Sequence, residues 1–102
     1  MTIYRNKNNF DQSNVQYEYR DKFLYNKKSS HNSMQYIDYG LLIFNSKMFA
    51  DYKKNINIDL SDILNDFSKK KLIEPYEIYD RFYEIGSKSG LSEFNGYIKK
   101  LF

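Results

Sequence analysis

The spacing of apolar residues changes near the middle of the chain, and this change limits the folds that the sequence can adopt. In residues 2–45 the sequence favours strands: Val15, Tyr17 and Tyr19 alternate with polar residues, as in a strand with one buried face. From Ser46 onward apolar residues recur mainly at intervals of three and four, the spacing of amphipathic helices. The change of period predicts an α/β fold, with a sheet from the first half and helices mainly from the second.

The first half contains four β-prone segments, which predict a hairpin and a buried strand. The first is "TIYR", and "VQYEYR" is joined to "KFLY" by Arg20-Asp21, a polar break that suits a hairpin. A polar loop at 26–33 then leads to "MQYIDYGLLIF". The continuous apolar run at 41–44 predicts a strand buried on both faces, as in a sheet with helices on each side.

The second half supplies the predicted covering elements. Ser46 is expected to cap a short helix that continues to Tyr52, and "DLSDILNDFSKKK" predicts a second helix behind the acidic residues Asp59 and Asp62. "EPYEIYDRFYEI" is β-prone, and Pro75 excludes it from the interior of a central strand. The apolar face of the second helix is expected to contain Leu60, Ile63, Leu64 and Phe67.

The last segment has the signals of a helix that begins after Ser87. Serine is a favoured N-cap residue, and the apolar residues that follow it have helical spacing. This helix is expected to pack on one face of the sheet through Leu91, Phe94, Ile98 and Leu101.

Composition and charge predict the number of domains, the cellular location and the classes of partner. At 102 residues, 41% of them hydrophobic, the chain is expected to form a single domain over 1–102. It has no cysteine and no apolar leader, and its longest apolar run is too short to span a bilayer, so the sequence predicts a soluble, cytoplasmic protein. The net charge of +3 is spread along the chain, which argues against nucleic acid or a membrane as a partner.

Four stretches, in order and at matching spacing, resemble a known enzyme family. They are "SNVQYEYRDKFLYNKK", "MQYIDYGLLIFNSKMF", "DLSDILNDF" and "RFYEIGSKSGLSEFNGYI". Together they resemble the C-terminal part of the sugar-1-phosphate nucleotidyltransferases, in particular the mannose-1-phosphate guanylyltransferase-like branch. The resemblance implies the C-terminal half of a Rossmann-like α/β sandwich. It also implies transfer of a nucleotidyl group from a nucleoside triphosphate to a sugar 1-phosphate, which forms an NDP-sugar and releases pyrophosphate.

The nucleotide-binding motifs of that family do not occur in this sequence. The family opens with a glycine-rich loop whose arginine and a later lysine hold the triphosphate, followed by a Gly-Asp pair whose aspartate binds Mg²⁺. The four glycines here lie outside any such loop, and "MTIYR" matches an internal strand of the family. The resemblance therefore implies the sugar-binding half of the fold, with Mg²⁺ bound only when a nucleotide-binding half completes it.

The resemblance assigns binding roles to four residues and a catalytic role to none. Glu84 stands where the family has its second metal carboxylate, usually an aspartate, so it would bind Mg²⁺. Gly40 corresponds to a glycine that lets the sugar approach the backbone, and Asp38 beside it would accept hydrogen bonds from sugar hydroxyls. Lys27 matches the lysine of a Glu-Lys-Pro stretch and would meet the sugar phosphate.

Three of the four assignments have a structural alternative. Glu84 could pair with Arg81 or with a lysine, and Gly40 could mark a bulge in a strand. Lys27 could be a solvated loop residue, because the acid and the proline that flank the family's lysine are absent here. The "SNV" stretch at 13–15 also matches the branch, but no chemistry follows from it.

The sequence leaves three functions open. The chain is the sugar-side half of a nucleotidyltransferase that needs a separate N-terminal half, or an inactive remnant of such an enzyme, or a non-catalytic binding or interaction domain. Half of a sandwich leaves a strand edge and apolar faces exposed. A complementary chain or a second copy is therefore expected to cover them, and the isolated chain is expected to self-associate or to show a large apolar patch.

Overall fold

The computed structural model describes residues 1–9, 11–19, 22–28, 34–54 and 56–102. This part of the chain is a mixed α/β structure with one five-stranded sheet and two α-helices. The strands are β1 (Thr2–Arg5), β2 (Val15–Tyr17), β3 (Phe23–Tyr25), β4 (Tyr36–Asp38) and β5 (Tyr76–Ile78), and the helices are α1 (Leu60–Lys69) and α2 (Lys88–Leu101). A short 3₁₀ helix occupies Ser46–Phe49. The α/β class and the order of the elements are as predicted.

The strands of the sheet are arranged in the order β3-β2-β4-β1-β5. β2 and β3 form the predicted antiparallel hairpin, β4 lies antiparallel to both β2 and β1, and β5 runs parallel to β1. Pro75 immediately precedes β5, which is an edge strand, as its proline requires. The predicted hairpin turn, Arg20 and Asp21, and the loop residues 29–33 lie outside the described residues.

The core lies where α1 covers the sheet. It is formed by six buried residues from four strands and α1: Ile3, Val15, Phe23, Tyr25, Tyr36 and Leu64. α1 also covers the outer edge of β3, since Ser68 Oγ accepts a hydrogen bond from the Tyr25 N–H at 3.1 Å and Asn65 Nδ2 donates to the Tyr25 C=O at 2.7 Å. The backbone N–H and C=O of Tyr25 at this edge of the sheet are therefore hydrogen-bonded, although no further strand of the described residues pairs with β3 there. The predicted apolar face of α1 is buried except for Leu60, which is exposed in the first turn.

The prediction of a strand at 41–44 buried on both faces is wrong. β4 ends at Asp38, and the chain turns at Gly40, whose φ of +83° is a left-handed conformation. Beyond the turn, Leu42 and Phe44 pack against the core, whereas Leu41 and Ile43 are exposed. Ile43 has 92% of its surface in solvent. The apolar run therefore has one covered side and one open side.

The helix starts differ in how well they match the prediction. Ser87 caps α2 as predicted, and Asp59 at the acidic start of α1 is its cap; each accepts a backbone N–H from the first turn. In α1 the Asp59 side chain accepts from the Ser61 N–H, and this hydrogen bond lowers the pKa of Asp59. The short helix differs from the prediction, because its cap is Asn45 instead of Ser46 and it ends at Phe49.

α2 does not pack on the sheet, contrary to the prediction. The helix is described in full, and none of its residues is buried. It contacts the segment that precedes it, where the rings of Tyr83 and Tyr97 stack with their centroids 4.6 Å apart. Neither α2 nor any other helix in the described ranges is long and apolar enough to cross a membrane.

Candidate functional site

The four residues singled out by the resemblance line one cavity. Lys27 follows β3, Asp38 ends β4, Gly40 lies in the turn after it, and Glu84 lies between β5 and α2. The cavity has a volume of about 430 Å³. Its other lining residues are Asp11, Gln12, Asn14, Ile37, Tyr39 and Phe82. The fold thus brings together residues from separate segments of the chain.

A tight turn at the end of β4 shapes one side of the cavity. Asp38 Oδ1 accepts a hydrogen bond from the Gly40 N–H at 2.9 Å, which closes the turn through a side chain. Gly40 has a positive φ, which favours glycine, and nothing lies within 4 Å of the position that a Cβ would occupy. Gly40 therefore belongs to a turn and not to a strand bulge, and its backbone is accessible from the cavity.

Asn14 is part of the site, although no role for it was predicted. It lies just before β2, and its side-chain Oδ1 accepts a hydrogen bond from the Asp38 N–H at 2.9 Å. Its backbone N–H donates to the Tyr36 C=O at 3.0 Å, and its C=O accepts from the Asn26 N–H at 2.8 Å. Asn14 therefore connects the segment of Asp38 with the segment of Lys27. The matching "SNV" stretch was the only signal in the sequence that pointed to it.

Asn14→Ala is expected to lower the free energy of unfolding by about 1–3 kcal/mol, because it removes the acceptor of the partly buried Asp38 N–H. Chemical denaturation followed by circular dichroism measures this change. Gln12→Ala is the control, because Gln12 lines the same cavity but is exposed; its effect is expected to be below about 0.5 kcal/mol. Equal effects of the two substitutions would contradict the role assigned to Asn14.

Two adjacent lysines after β3 have different surroundings. Lys28 Nζ pairs with Asp62 Oδ1 of α1 at 2.6 Å, and this hydrogen bond raises the pKa of Lys28. Lys27 lines the cavity instead. Among the described residues that form the cavity wall, Lys27 is the only cation. An anionic group of a ligand would therefore be attracted to the Lys27 side of the cavity.

The first turn of α2 holds the Glu84 carboxylate. Ser87 Oγ donates to Glu84 Oε2 at 2.9 Å and accepts from the Gly90 N–H at 3.0 Å. Gly90 has no room for a side chain, because a Cβ would lie 2.1 Å from the Glu84 carbonyl oxygen and 2.6 Å from Glu84 Oε2. Arg81 pairs with Glu93, and Ser87 is a hydrogen-bond partner of the Glu84 carboxylate. Glu84 is therefore positioned by a helix N-terminus, which favours a carboxylate.

The cavity lining combines aromatic rings with several hydrogen-bonding groups. Tyr39 and Phe82 meet edge to face with their centroids 4.9 Å apart. Carboxylates accept hydrogen bonds from hydroxyl groups, side-chain amides both donate and accept, and an ammonium group binds anions. This lining suits a ligand with several hydroxyl groups and one anionic group. The polar residues concerned are Asp11, Asp38, Glu84, Gln12, Asn14 and Lys27.

The described residues do not form a Mg²⁺ site by themselves. No group of three or more His, Cys, Asp or Glu side chains that could hold a metal ion occurs among them. Glu84 offers one carboxylate, and one of its oxygens already accepts a hydrogen bond from Ser87. Proteins often hold Mg²⁺ through one or two carboxylates together with substrate phosphates. A Mg²⁺ ion bound at Glu84 would therefore also need oxygen ligands from substrate phosphates or water.

Comparisons with protein-family models, with curated proteins and with solved structures give no match to this chain.

Proposed function

We propose that the chain is the sugar-binding half of a nucleotidyltransferase that joins a nucleoside triphosphate and a sugar 1-phosphate into an NDP-sugar. One observation carries this proposal: Lys27, Asp38, Gly40 and Glu84, which match the family's motifs at separate places in the sequence, line the same cavity. The volume of about 430 Å³ also lies within the usual range for small-molecule sites, about 300–1,000 Å³.

The lining suggests how a sugar 1-phosphate would bind. The C–H face of the sugar would lie against the aromatic wall of Tyr39 and Phe82. Asp38 Oδ1 is used within the turn, which leaves Oδ2 to accept from sugar hydroxyls near the Gly40 backbone. The phosphate would lie at Lys27, the cation of the cavity wall. When bound, Mg²⁺ would neutralise phosphate charge, and Glu84 would be one of its ligands.

The nucleotide-binding half would come from polypeptide outside these residues, since the motifs that hold the triphosphate are not among them. A partial Rossmann-like sandwich is supported by the parallel β1–β5 pair beside the antiparallel β4, because mixed sheets of this kind are common in doubly wound folds. The open side of residues 41–44, with Ile43 in solvent, is a surface that the missing half would cover.

Lys27→Met is expected to weaken the binding of aldose 1-phosphates about tenfold, because a charge-assisted hydrogen bond contributes about 1.5–3 kcal/mol. Titration followed by ¹⁵N–¹H NMR measures this affinity, and the expected shifts are at Asn14, Asp38 and Gly40. Lys28→Met is the matched control. Lys28 is paired with α1 outside the cavity wall, so its removal is expected to change the affinity by less than about twofold.

Free aldoses and inorganic phosphate serve as comparison ligands in this titration. The aldose is expected to shift the Asp38–Gly40 turn, and the phosphate is expected to shift the backbone around Lys27. An equal loss of affinity in Lys27→Met and Lys28→Met would contradict the proposed position of the phosphate. Shifts scattered over the whole surface would contradict the proposed sugar site.

A non-catalytic sugar-binding domain is the second candidate. It is favoured by the hydrogen bond from Ser87 to Glu84 Oε2, which occupies one oxygen of the carboxylate that the enzyme would need for Mg²⁺. Mg²⁺ distinguishes the two candidates once a nucleotide-binding half is present. The enzyme is expected to release pyrophosphate only with Mg²⁺, whereas the binding domain is expected to hold sugar 1-phosphate equally well with and without it. An inactive remnant would do neither.

A further inference from the structure

Helix α2 is anchored to the rest of the chain along one side. The Tyr97 ring stacks on Tyr83 at 4.6 Å, and the Phe94 ring lies 6.0 Å from the same Tyr83 ring. Glu93 forms an ion pair with Arg81, whose guanidinium also lies 4.8 Å from the Tyr83 ring centroid. These contacts fix the orientation of α2 and therefore determine which of its sides faces solvent.

The half-buried Phe94, which contacts Tyr83, lies among the residues of an apolar stripe on α2, formed by Leu91, Ile98, Leu101 and Phe102. At about 100° of rotation per residue, these four positions fall within a sector about 100° wide. Leu91 and Leu101 are more than half exposed, and Phe102 is fully exposed. Such a stripe at helical spacing is typical of a helix that packs against another element. In this structure Ile98 is half-buried, and the other three stripe residues face solvent.

The stripe contains a hollow with the geometry of a helix-packing site. The hollow has a volume of about 620 Å³, and its wall includes Leu91, Phe94, Asn95 and Ile98. These positions are i, i+3, i+4 and i+7 of one helix, the set of four that surrounds an inserted side chain when two helices pack knobs into holes. A partner helix can supply such a side chain, whereas a lipid surface cannot supply one at a defined position.

The charges around the stripe favour an acidic partner. Lys88 and Lys99 lie about 60° and 80° from Leu91 around the helix axis, so both border the stripe. The only acidic residue of α2 is Glu93, and it is paired with Arg81 on the anchored side. A second copy of this helix would bring Lys88 near Lys99 in an antiparallel pair, or each lysine near its own copy in a parallel pair. Like charges of this kind disfavour self-pairing.

We propose that the α2 stripe is a docking site for an amphipathic helix of another protein, one that inserts an apolar side chain between Leu91 and Ile98 and has carboxylates opposite Lys88 and Lys99. This interaction does not depend on the proposed enzymatic function, because none of these four residues lines the cavity that would bind the sugar. Its test needs neither nucleotide nor sugar, so the two proposals can fail separately.

The test uses synthetic peptides and the whole chain. One labelled heptad peptide has Leu at a and d and Glu at e and g, and a second has Lys at e and g. In fluorescence anisotropy, the Glu peptide is expected to bind at least about tenfold more tightly than the Lys peptide. Leu91→Ser combined with Ile98→Ser is expected to lower that affinity at least about tenfold, because the buried apolar contact is lost.

A pair of charge variants provides the matched control. Lys99→Glu borders the stripe and is expected to weaken binding of the Glu peptide several-fold, and more at low salt. Lys100→Glu lies about 180° from Leu91, on the far side of α2, and is expected to change the affinity by less than about twofold. Both positions are exposed, so circular dichroism should show an unchanged fold in each variant.

Several results would overturn the proposal. Equal binding of the two peptides, no binding of either, or binding that is unaffected by the Leu91 and Ile98 substitutions would each contradict it. Uptake of the chain by phosphatidylserine vesicles through these residues, without binding of the Glu peptide, would identify the stripe as a membrane contact. A homodimer in sedimentation that dissociates on the same substitutions would identify a second copy as the occupant.

Discussion

Glu84→Gln is expected to lower kcat at least about a hundredfold when the chain is combined with the nucleotide-binding half of a mannose-1-phosphate guanylyltransferase-like enzyme. Glutamine has the same shape and can still accept the hydrogen bond from Ser87, so the side chain should keep its position. It loses the negative charge through which the proposed enzyme would hold a hard cation at this position. Pyrophosphate release at saturating Mg²⁺ measures the effect.

Two controls define what this result means. Glu77→Gln removes a carboxylate in β5, outside the cavity, and kcat is expected to stay within about twofold. The chain without the added half is expected to release no pyrophosphate, since it lacks the groups that hold the triphosphate. Turnover by the chain alone would overturn the proposed division of the enzyme. Turnover that is unaffected by Glu84→Gln would contradict the proposal that Glu84 binds Mg²⁺, but it would not contradict the proposed sugar site.

Gly90→Ala is expected to destabilise the docking of α2 by about 1–3 kcal/mol, the usual cost of forcing an extra group into a filled space. The new Cβ would lie 2.1 Å from the Glu84 carbonyl oxygen, which belongs to the backbone and cannot rotate away. The helix start must therefore move and carry the Ser87 hydroxyl away from Glu84. Native-state hydrogen exchange of the α2 amides measures this local stability.

Gly96→Ala in the same helix is the matched control. Nothing lies within 4 Å of a Cβ at Gly96, so the substitution adds helix propensity without a clash. It is expected to stabilise α2 by about 0.5–1 kcal/mol. In the combined enzyme, Gly90→Ala is expected to reduce kcat as well, because Glu84 is displaced, whereas Gly96→Ala is not. Similar effects of the two substitutions on hydrogen exchange would show that Gly90 does not position Glu84.

Signals that act over a few residues were sufficient to predict several elements. The polar break between β2 and β3 predicted a hairpin, and Ser87 predicted the start of α2, because turns and caps depend on neighbouring residues. Pro75 predicted a strand outside the sheet centre, because proline cannot donate a ladder hydrogen bond. Lys27, Asp38, Gly40 and Glu84 were different: motif matching selected them, and no local physical pattern did.

Contacts between distant segments could not be predicted in this way. Asn14 belongs to the site through a hydrogen bond from the Asp38 backbone, and the sequence contains no trace of that pairing. The turn at Gly40 ended β4 before the apolar run that suggested a buried strand. β-propensity indicates that 41–44 suits an extended segment, but burial on both faces requires a second layer over the face of Leu41 and Ile43.

The sequence by itself determined the apolar faces of the two helices, because apolar residues spaced three and four apart lie on one side of a helix in successive turns. Only the tertiary structure decided what covers each face. The face of α1 is buried through Ile63, Leu64 and Phe67, whereas the predicted apolar face of α2 has no fully buried residue. The physical reason is that burial depends on an opposing surface, and the period of a helix contains no information about the element that will provide it.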